Sequence, residues 1–260
     1  MAEDRQVEYG SYPSLRGRVV VVTGGASGIG EKMVEHFAHQ SAKVVFLDIQ
    51  ADAGMQLAEK VGTAGDPEPC FLHCDLTDIN ALRACMGTAI ARFHTVDVLV
   101  NNAANDARHA VESVTPEYWD QSIAVNLKHQ FFASQAVIPV MKKAGRGSII
   151  NMSSISWMVP SVGFPVYMAA KAAIVGLTRT LAHELGADNI RVNCVLPGAI
   201  FTERQKQLWF TEAYKAEILS RQALKRMISP EEVARLVLFL AADDSSAITN
   251  QSYVIDGGWV

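Results

Sequence analysis

Short apolar, β-branched runs alternate along the chain with longer segments in which apolar residues recur every three or four positions. Runs of the first kind predict strands, and the repeating segments predict helices. The predicted strands span residues 19–23, 44–48, 71–75, 96–101, 148–153, 190–196 and 253–256. Several are apolar at almost every position, which is typical of strands that helices cover on both faces. The pattern therefore predicts an α/β fold, a doubly wound parallel sheet of about seven strands with helices on both faces.

Two of the predicted helices have clear sequence markers. An apolar stripe at steps of three and four predicts a helix between the third and fourth strands, formed by Ile79, Leu82, Met86, Ile90 and Phe93. Near the C-terminus, Ser229 and Glu232 flank Pro230 in the pattern of a capping box, which predicts the start of a helix. No internal repeat, low-complexity tract or linker divides the chain, so we expect a single domain over residues 1–260.

The net charge and the N-terminal sequence indicate which classes of binding partner to expect for this protein. The chain has 260 residues, and its net charge of −4 provides no electrostatic footprint for nucleic acid or an anionic membrane surface. The N-terminal sequence MAEDRQVEYG is polar and acidic, unlike a signal peptide, and no apolar run approaches the roughly 18 residues of a membrane span. We therefore expect a cytoplasmic protein with a small-molecule partner, and neither a nucleic acid nor a membrane.

The cysteines and histidines do not predict a metal site. The cysteines are too few and too scattered for a disulfide framework or a zinc site, and we interpret all of them as buried thiols: Cys70, Cys74, Cys85 and Cys194. His36 and His39 lie three apart on a predicted helix but have no third ligand nearby. We interpret these two histidines as solvated helix positions and expect no metal.

A glycine-rich string, TGGASGIG at residues 23–30, lies between the first predicted strand and a predicted helix. In that context glycines let the backbone approach a pyrophosphate, and the helix N-terminus offers free N–H groups. Asp48 ends the second predicted strand, where a carboxylate can bind the adenosine ribose hydroxyls and repel a 2′-phosphate. Residues 48–52 contain no Arg or Lys, and Ser27 stands where a basic side chain would serve a phosphate. The sequence therefore predicts a Rossmann-type dinucleotide site that favours NAD over NADP.

These motifs resemble those of the classical short-chain dehydrogenase/reductase family, and the resemblance extends over nearly the whole chain. The spacing of the loop glycines is similar to that family's cofactor loop, and NNAA at residues 101–104 resembles its NNAG motif with alanine in place of glycine. The resemblance implies a homo-oligomer, a tetramer or a dimer. It also implies a cofactor site formed by Gly24, Ser27, Gly28, Ile29, Gly30, Asp48, Ile49, Asp75, Leu76, Asn102, Ala103, Tyr167, Lys171, Pro197, Gly198, Ile200 and Thr202.

The stretch SISWMVPSVGFPVYMAAK, residues 154–171, contains the candidate catalytic residues. Tyr167 and Lys171 are spaced to share one helix face, while Ser154 follows a strand and meets them only through the fold. A free tyrosine has a pKa of about 10, so its use as a base near neutral pH needs roughly 4 kcal/mol of stabilisation. By resemblance, Tyr167 is the general base and Lys171 lowers its pKa and binds the nicotinamide ribose. The same resemblance makes Ser154 the holder of the substrate oxygen and Asn126 the residue that positions a relay water. Ser153 is the neighbouring candidate, but the strand period turns it to the opposite face.

Pro197-Gly198 with Thr202 resembles the family's turn that holds the nicotinamide carboxamide. Residues 201–224 follow this predicted turn and resemble the mobile lid that selects substrates in this family. Three strings, NDARH at 105–109, SISW at 154–157 and TERQ at 202–205, resemble the bacterial NAD-dependent D-xylose dehydrogenases and related aldose 1-dehydrogenases. That resemblance implies oxidation of an aldose at C1 to the aldonolactone, with hydride transfer to NAD. Sugars require many hydrogen bonds and a flat aromatic surface. The candidate substrate residues are Asn105, Arg108, Ser154, Trp157, Gln205 and Trp209.

Alternative functions follow from the same residues. The Arg108 guanidinium also matches a carboxylate, which leaves a sugar acid, a 2-keto-3-deoxy acid or a polyol secondary alcohol open as substrate. Trp157 and Trp209 are alternatively packing residues of the lid. A regulator that senses NAD without turnover is disfavoured, because all four catalytic positions are filled. The resemblance divides the domain into a cofactor half at about 17–150 and a catalytic and substrate part at about 151–260.

Overall fold

The computed structural model of the protein describes residues 9–208 and 211–260. Each predicted strand is present, with every boundary within two residues of its prediction. The strands are β1 (Val19–Thr23), β2 (Lys43–Asp48), β3 (Cys70–His73), β4 (Val98–Asn101), β5 (Gly147–Met152), β6 (Ile190–Pro197) and β7 (Ser252–Ile255).

The helices of the described residues lie between and after these strands. They are α1 (Gly28–His39), α2 (Ala51–Thr63), α3 (Ile79–Phe93), α4 (Pro116–Ile123), α5 (His129–Ala144), α6 (Pro165–Leu185), α7 (Glu203–Leu208), α8 (Glu212–Arg221) and α9 (Pro230–Ala241). A π-helical segment, Ala124–Lys128, joins α4 to α5. None of these helices combines the length and apolar character that crossing a membrane would require.

All seven strands form one parallel sheet with the order β3-β2-β1-β4-β5-β6-β7. The chain progresses outward from β1 to β3 and then returns to place β4 on the other side of β1. This reversal leaves a crevice at the carboxyl ends of β1 and β4, which is the usual ligand position in open α/β sheets. The sheet thus confirms the predicted doubly wound architecture.

Two apolar layers cover the sheet. Val20 and Val22 of β1 belong to a core layer that also contains buried residues of α1, α2 and α9. Val21 faces the opposite layer, which is built with residues of α3, α5 and α6. Because successive side chains of a strand point to opposite faces, a strand buried on both sides must be apolar throughout. This explains the unbroken valine run of β1.

Both helices with sequence markers form, and polar side chains cap their N-termini. The Asp78 carboxylate accepts hydrogen bonds from the Asn80 and Ala81 N–H groups at the start of α3. At α9, Ser229 and Glu232 form the predicted capping box. The Glu232 carboxylate also receives two hydrogen bonds from Arg226, each 2.7 Å long. Polar side chains therefore satisfy the N–H groups that a helix N-terminus leaves unpaired.

Two minor predictions are wrong. Cys70 and Cys85 are partly exposed, and only Cys74 and Cys194 are buried thiols, because Cys70 starts the edge strand β3 and Cys85 lies on the helix beside it. His36 is half-buried rather than solvated, since it faces α9 across the layer, and burial lowers its pKa. Within residues 9–208 and 211–260, no three His, Cys, Asp or Glu side chains are grouped as metal ligands would be.

Candidate active site

The glycine loop joins the carboxyl end of β1 to α1 with very little free space. Gly24 has a φ of +65°, and a Cβ at this residue would lie 2.7 Å from the Ala103 Cα. A Cβ at Gly30 would lie 1.9 Å from the Gly24 carbonyl oxygen. Both positions therefore require glycine. Ser27 precedes α1 but its side chain does not cap the first turn, and Ile29 packs partly buried against the core.

Asp48 lies at the end of β2 and ties that strand to the glycine loop. Its Oδ2 atom accepts a hydrogen bond of 2.9 Å from the Ala26 N–H, and its Oδ1 atom accepts one of 3.0 Å from the Gln50 N–H. The Gln50 side chain in turn donates to the Ser27 hydroxyl over 3.1 Å. The predicted ribose-binding carboxylate is therefore already held in place by backbone donors.

Three further residues of the predicted cofactor site, Ile49, Asp75 and Leu76, follow β2 and β3 beside this carboxylate. Ile49 is 60% exposed, and Leu76 is buried after β3. The Asp75 carboxylate is exposed and accepts hydrogen bonds from the Thr77 N–H and hydroxyl, at 2.9 and 2.7 Å. Asp75 thus closes a local turn with its side chain.

The carboxyl end of β4 closes the other side of the loop. The Thr23 hydroxyl oxygen accepts hydrogen bonds from the backbone N–H groups of Asn102 and Ala103, at 3.0 and 3.2 Å. The Asn102 side chain donates to the Gly24 carbonyl over 2.8 Å. Ala104, which replaces the family's glycine, is not among the residues with positive φ. Alanine is therefore compatible with this position.

The predicted nicotinamide turn follows β6. The Gly198 N–H, directly after Pro197, donates to the Ile255 carbonyl over 3.0 Å. Ile200 is buried and forms an isolated bridge with Ile228. The Thr202 methyl carbon would lie 3.5 Å from a Cβ at Gly28, so this turn reaches the glycine loop across the crevice.

These elements fit a nicotinamide dinucleotide. The glycine cradle and the first turn of α1 present backbone N–H groups to a pyrophosphate. The Asp48 carboxylate lies where an adenosine ribose would offer its hydroxyls. The turn after β6 stands at the far side of the same crevice, where the nicotinamide end would lie.

The fold brings Ser154, Tyr167 and Lys171 together. Tyr167 and Lys171 lie one turn apart on α6, which begins at Pro165, a residue whose fixed φ suits the first turn. Ser154 follows β5, and its side chain is close enough to Tyr167 to lower the pKa of the phenol. The Lys171 Nζ atom lies 5.4 Å from the centre of the Tyr167 ring. This is the constellation that the sequence predicts.

The protonation of this group depends on burial. Burial raises the pKa of Tyr167 and the Asp106 carboxylate raises it further, while the hydrogen bond with Ser154 and the Arg108 charge oppose the rise. Lys171 is buried and donates to the Met152 carbonyl over 2.8 Å, and burial lowers its pKa to about 8. The phenol is therefore neutral at pH 7 in this arrangement, and a further positive charge is needed before it can act as a base.

Asn126 lies in the π-helical segment Ala124–Lys128 and is fully buried. Its Oδ1 atom accepts a hydrogen bond of 2.8 Å from the Asn105 N–H. Its Nδ2 atom donates to the carbonyls of Asn105 and Ser122, at 3.1 and 3.0 Å. Asn126 therefore holds the loop after β4 with both ends of its amide, and π-helical segments of this kind are frequent at functional sites.

Two of the predicted substrate residues lie beside the catalytic group. Trp157 is 37% exposed, and its indole N–H donates to the Ser153 hydroxyl over 3.4 Å. Ser153 itself donates to the Lys171 carbonyl over 2.6 Å, so it faces α6 rather than the cleft. The Arg108 guanidinium lies 3.8 Å over the centre of the Phe164 ring, and this ring packs against that of Tyr167.

The remaining predicted substrate residues connect the lid to the loop after β4. Gln205 on α7 donates to the Asp106 carboxylate over 2.7 Å. Arg204 donates to the Asn105 side-chain oxygen over 3.4 Å. Trp209 was predicted as a substrate residue but lies outside the described residues. The lid and the loop thus meet through polar side chains near the catalytic group.

Three residues were missed by the sequence analysis. Asp106 and Tyr214 both reach the catalytic region, and Tyr214 hydrogen-bonds Arg108 from α8. His129 on α5 is completely buried, and burial together with the Lys171 charge lowers its pKa to about 3. Asp106 belongs to the NDARH string, which was a usable indication. The single sequence contains no feature that distinguishes His129 or Tyr214.

Comparisons with known proteins agree with this geometry. A protein-family model described as enoyl-(acyl carrier protein) reductase matches residues 24–260. The chain is 51% identical to the protein named probable galactose dehydrogenase of Rhizobium meliloti (strain 1021), over 95% of this chain and 96% of that one. It is 49% identical to D-xylose 1-dehydrogenase of Caulobacter vibrioides, over 95% of this chain and 98% of that one.

A solved structure shares the fold as well as the sequence. It is a doubly substituted short-chain dehydrogenase/reductase of Serratia marcescens, which superposes with a TM-score of 0.87 at 35% identity, over 95% of this chain and 99% of that one. The chain therefore belongs to the short-chain dehydrogenase/reductase family and is an oxidoreductase of the kind that uses a nicotinamide cofactor.

Proposed function

We propose that this protein oxidises a free aldose at C1 to the aldonolactone with NAD as acceptor. The observation that carries the proposal is that the fold brings Ser154 to Tyr167, with Lys171 one helical turn away and its Nζ atom 5.4 Å from the centre of the Tyr167 ring. The names of the two relatives with about half of their residues identical, a galactose and a xylose dehydrogenase, support a sugar as the substrate.

In this reaction Tyr167 takes the proton of the C1 hydroxyl while Ser154 holds the same oxygen. The carbon–hydrogen bond at C1 breaks and the carbonyl of the lactone forms. When bound, NAD would accept the hydride, and its oxidised nicotinamide ring would add a positive charge to the site. Lys171 adds a second positive charge and binds the nicotinamide ribose, and Asn126 positions a water that returns the proton to solvent. The two charges together offset the burial that raises the pKa of Tyr167.

NAD rather than NADP is proposed because of Asp48. Its carboxylate is fixed at the end of β2 by two backbone donors, where it accepts ribose hydroxyls and repels a 2′-phosphate. The residues that follow it, Ile49 to Asp52, include no cation to bind such a phosphate.

The direct test is NADH formation with a panel of aldoses, polyols and sugar acids. We expect a neutral pentose or hexose to have the highest kcat/KM. Faster turnover of a polyol at a secondary alcohol would reassign the reacting carbon, and faster turnover of a sugar acid or 2-keto-3-deoxy acid would favour the second candidate. That candidate is motivated by Arg108, whose guanidinium lies near Tyr167.

The family resemblance also supports a homo-oligomer, a tetramer or a dimer, in the cytoplasm. Light scattering coupled to size-exclusion chromatography tests the oligomer directly. A monomer at micromolar concentration would contradict it.

A further inference from the structure

Asp106 occupies a central position between the lid and the catalytic group. It lies in the loop after β4, and its side chain is 20% exposed. Its Oδ2 atom accepts a hydrogen bond of 2.7 Å from the Gln205 side chain. Its Oδ1 atom lies 3.7 Å from the Arg204 Nε atom. Both partners belong to α7, so this carboxylate holds the first helix of the lid.

The same carboxylate acts on the catalytic residues. Its charge raises the pKa of both Tyr167 and Lys171. The residues on either side of Asp106 contact the catalytic region directly. The Asn105 N–H donates to the Asn126 Oδ1 atom over 2.8 Å, and the Arg108 guanidinium lies 3.8 Å over the Phe164 ring, which packs against the Tyr167 ring. The loop that carries Asp106 therefore lies between α7 and the catalytic residues.

The nearby cations already have partners. Arg108 stacks on the Phe164 ring and hydrogen-bonds Tyr214, and Arg204 is shared between Asp106 and the Asn105 side chain. A carboxylated substrate would bring a second negative charge close to Asp106, which is unfavourable at this partly buried site. A neutral substrate with several hydroxyls would instead donate hydrogen bonds to it.

We propose that Asp106 determines specificity, because its carboxylate accepts hydroxyls of a neutral polyhydroxylated substrate and disfavours substrates that carry a carboxylate. Gln205 and Arg204, both on α7, orient the carboxylate toward its role in hydroxyl recognition. This inference rests on the proposed sugar dehydrogenase function and names the feature that separates neutral sugars from sugar acids.

The test compares matched sugar pairs in the full-length protein. D-Galactose and D-galacturonate, and D-glucose and D-glucuronate, differ at C6, where the acids carry a carboxylate. We expect Asp106→Asn to lower the ratio of kcat/KM for the neutral sugar to that for the acid at least about tenfold. Asp106→Glu keeps the charge and should retain most of the discrimination. Glu112→Gln removes an exposed charge from the segment that follows the same loop and should leave the ratio unchanged.

A second readout separates a specific role from a structural one. Tyr167 is surrounded by Asp106, Arg108, Ser154 and Lys171, so removing the Asp106 charge lowers the pKa of the phenol. We therefore expect the acid limb of the kcat profile for oxidation to move to lower pH in Asp106→Asn, with NAD affinity within about twofold of wild type. Thermal melts in the presence of NAD report whether each variant is folded.

The outcomes distinguish this inference from the proposed function. If a sugar acid is the best substrate and Asp106→Asn improves it further, the aldose proposal fails while the role of Asp106 stands. If aldoses are the best substrates but Asp106→Asn and Asp106→Glu both leave the neutral-to-acid ratio unchanged, the role of Asp106 is overturned and the aldose proposal stands. An equal fall of the neutral-to-acid ratio of kcat/KM in Asp106→Glu and Asp106→Asn would also contradict the inference, since the charge would then not be the cause.

Discussion

At the scale of single residues, the proposed chemistry depends on a tyrosine that its surroundings make a poor base. Burial and Asp106 raise the pKa of Tyr167, and Ser154 and Arg108 oppose that rise only in part. Lys171 is buried, and its ammonium group donates a hydrogen bond to the Met152 carbonyl. On the proposed mechanism, Tyr167 therefore becomes a base only when a positively charged cofactor is bound, which would couple proton removal to the presence of the hydride acceptor.

Replacement of Tyr167 by Phe should reduce kcat at least about a hundredfold, because the proton acceptor is removed while the ring remains. NAD binding, measured by quenching of tryptophan fluorescence, should stay within about threefold of wild type. Tyr253→Phe, which removes a hydroxyl on β7, is the matched control and should retain activity. Turnover of Tyr167→Phe at the wild-type rate would exclude the proton-acceptor role.

Replacement of Asp48 separates its charge from its hydrogen bonds. In Asp48→Asn the repulsion of a 2′-phosphate is lost, while one oxygen still accepts from the backbone. We expect the ratio of kcat/KM for NAD to that for NADP to fall at least about tenfold in both Asp48→Asn and Asp48→Ala. Both variants should also lower the free energy of unfolding, and Asp48→Ala should do so more, by about 1–3 kcal/mol, because the Ala26 and Gln50 N–H groups both lose their acceptor in Asp48→Ala and only one of them does in Asp48→Asn. A wild-type enzyme that uses both cofactors equally would contradict this interpretation.

At the scale of elements, the loop from β1 to α1 is built with no room for a side chain. Gly30→Ala should lower the free energy of unfolding by about 1–3 kcal/mol, because the new methyl group would meet the Gly24 carbonyl oxygen. It should also weaken NAD binding. Urea unfolding and a binding titration measure the two effects.

A helical glycine with open space around it is the control. Gly87 lies on α3 with no heavy atom within 4 Å of an added Cβ. Gly87→Ala should therefore stabilise the protein by about 0.5–1 kcal/mol and leave NAD binding unchanged. Equal effects of the two substitutions would show that the loop tolerates a side chain.

The elements that sequence reasoning identified are the ones with a buried face. The strands and α3 follow from apolar runs and stripes, because burial imposes those patterns. The lid helices were predicted only as a segment: α8 buries Ile218 alone, and α7 buries no residue. A helix with little buried surface leaves no apolar stripe in its sequence. The π-helical turn at Asn126 was missed for a related reason, since one extra residue in a turn has no pattern of its own.

The residues of the candidate site also fall into those that a local pattern predicts and those that it does not. Gly24, Gly30, Asp48, Tyr167 and Lys171 were found because their types and spacings are tied to fixed backbone features. Asp106 lies in the NDARH string but was not predicted as a site residue, because its position is set by contacts with two residues of α7 far along the chain. Contacts between distant segments have no local spacing from which to infer them.

At the scale of the whole molecule, the reversal of strand order between β1 and β4 creates the crevice, and three other chain segments complete it. Asp48 comes from β2, Tyr167 from α6 and Thr202 from the turn after β6. The two apolar layers fix these segments against one sheet. The same packing buries His129 on α5 near Lys171. Because this imidazole stays neutral when buried, the stability of the fold depends on pH.

His129 is neutral in the folded protein, because its pKa is lowered to about 3. In the unfolded chain an imidazole has a pKa of about 6.5. Below that pH the unfolded state binds a proton that the folded state excludes, so stability is lost as pH falls from about 6.5 toward 3. Removing His129 should flatten this dependence by up to about 1.4 kcal/mol per pH unit in that window.

Urea unfolding of wild type and His129→Gln at pH 7, 6 and 5 measures this effect. The difference in unfolding free energy between the two proteins should change steadily as the pH falls. His39→Gln, an exposed histidine on α1, is the matched control. A difference between wild type and His129→Gln that stays constant from pH 7 to pH 5 would contradict the buried neutral imidazole.

The central claim is that hydride leaves C1 of an aldose and reaches NAD. The most direct measurement uses D-galactose and D-xylose labelled with deuterium at C1, with the reduced cofactor and the sugar product followed by NMR. The account predicts deuterium at C4 of the nicotinamide ring, together with the aldonolactone or its hydrolysed acid. Reduced cofactor without deuterium, or no reduction with any aldose while another alcohol is oxidised, would contradict it.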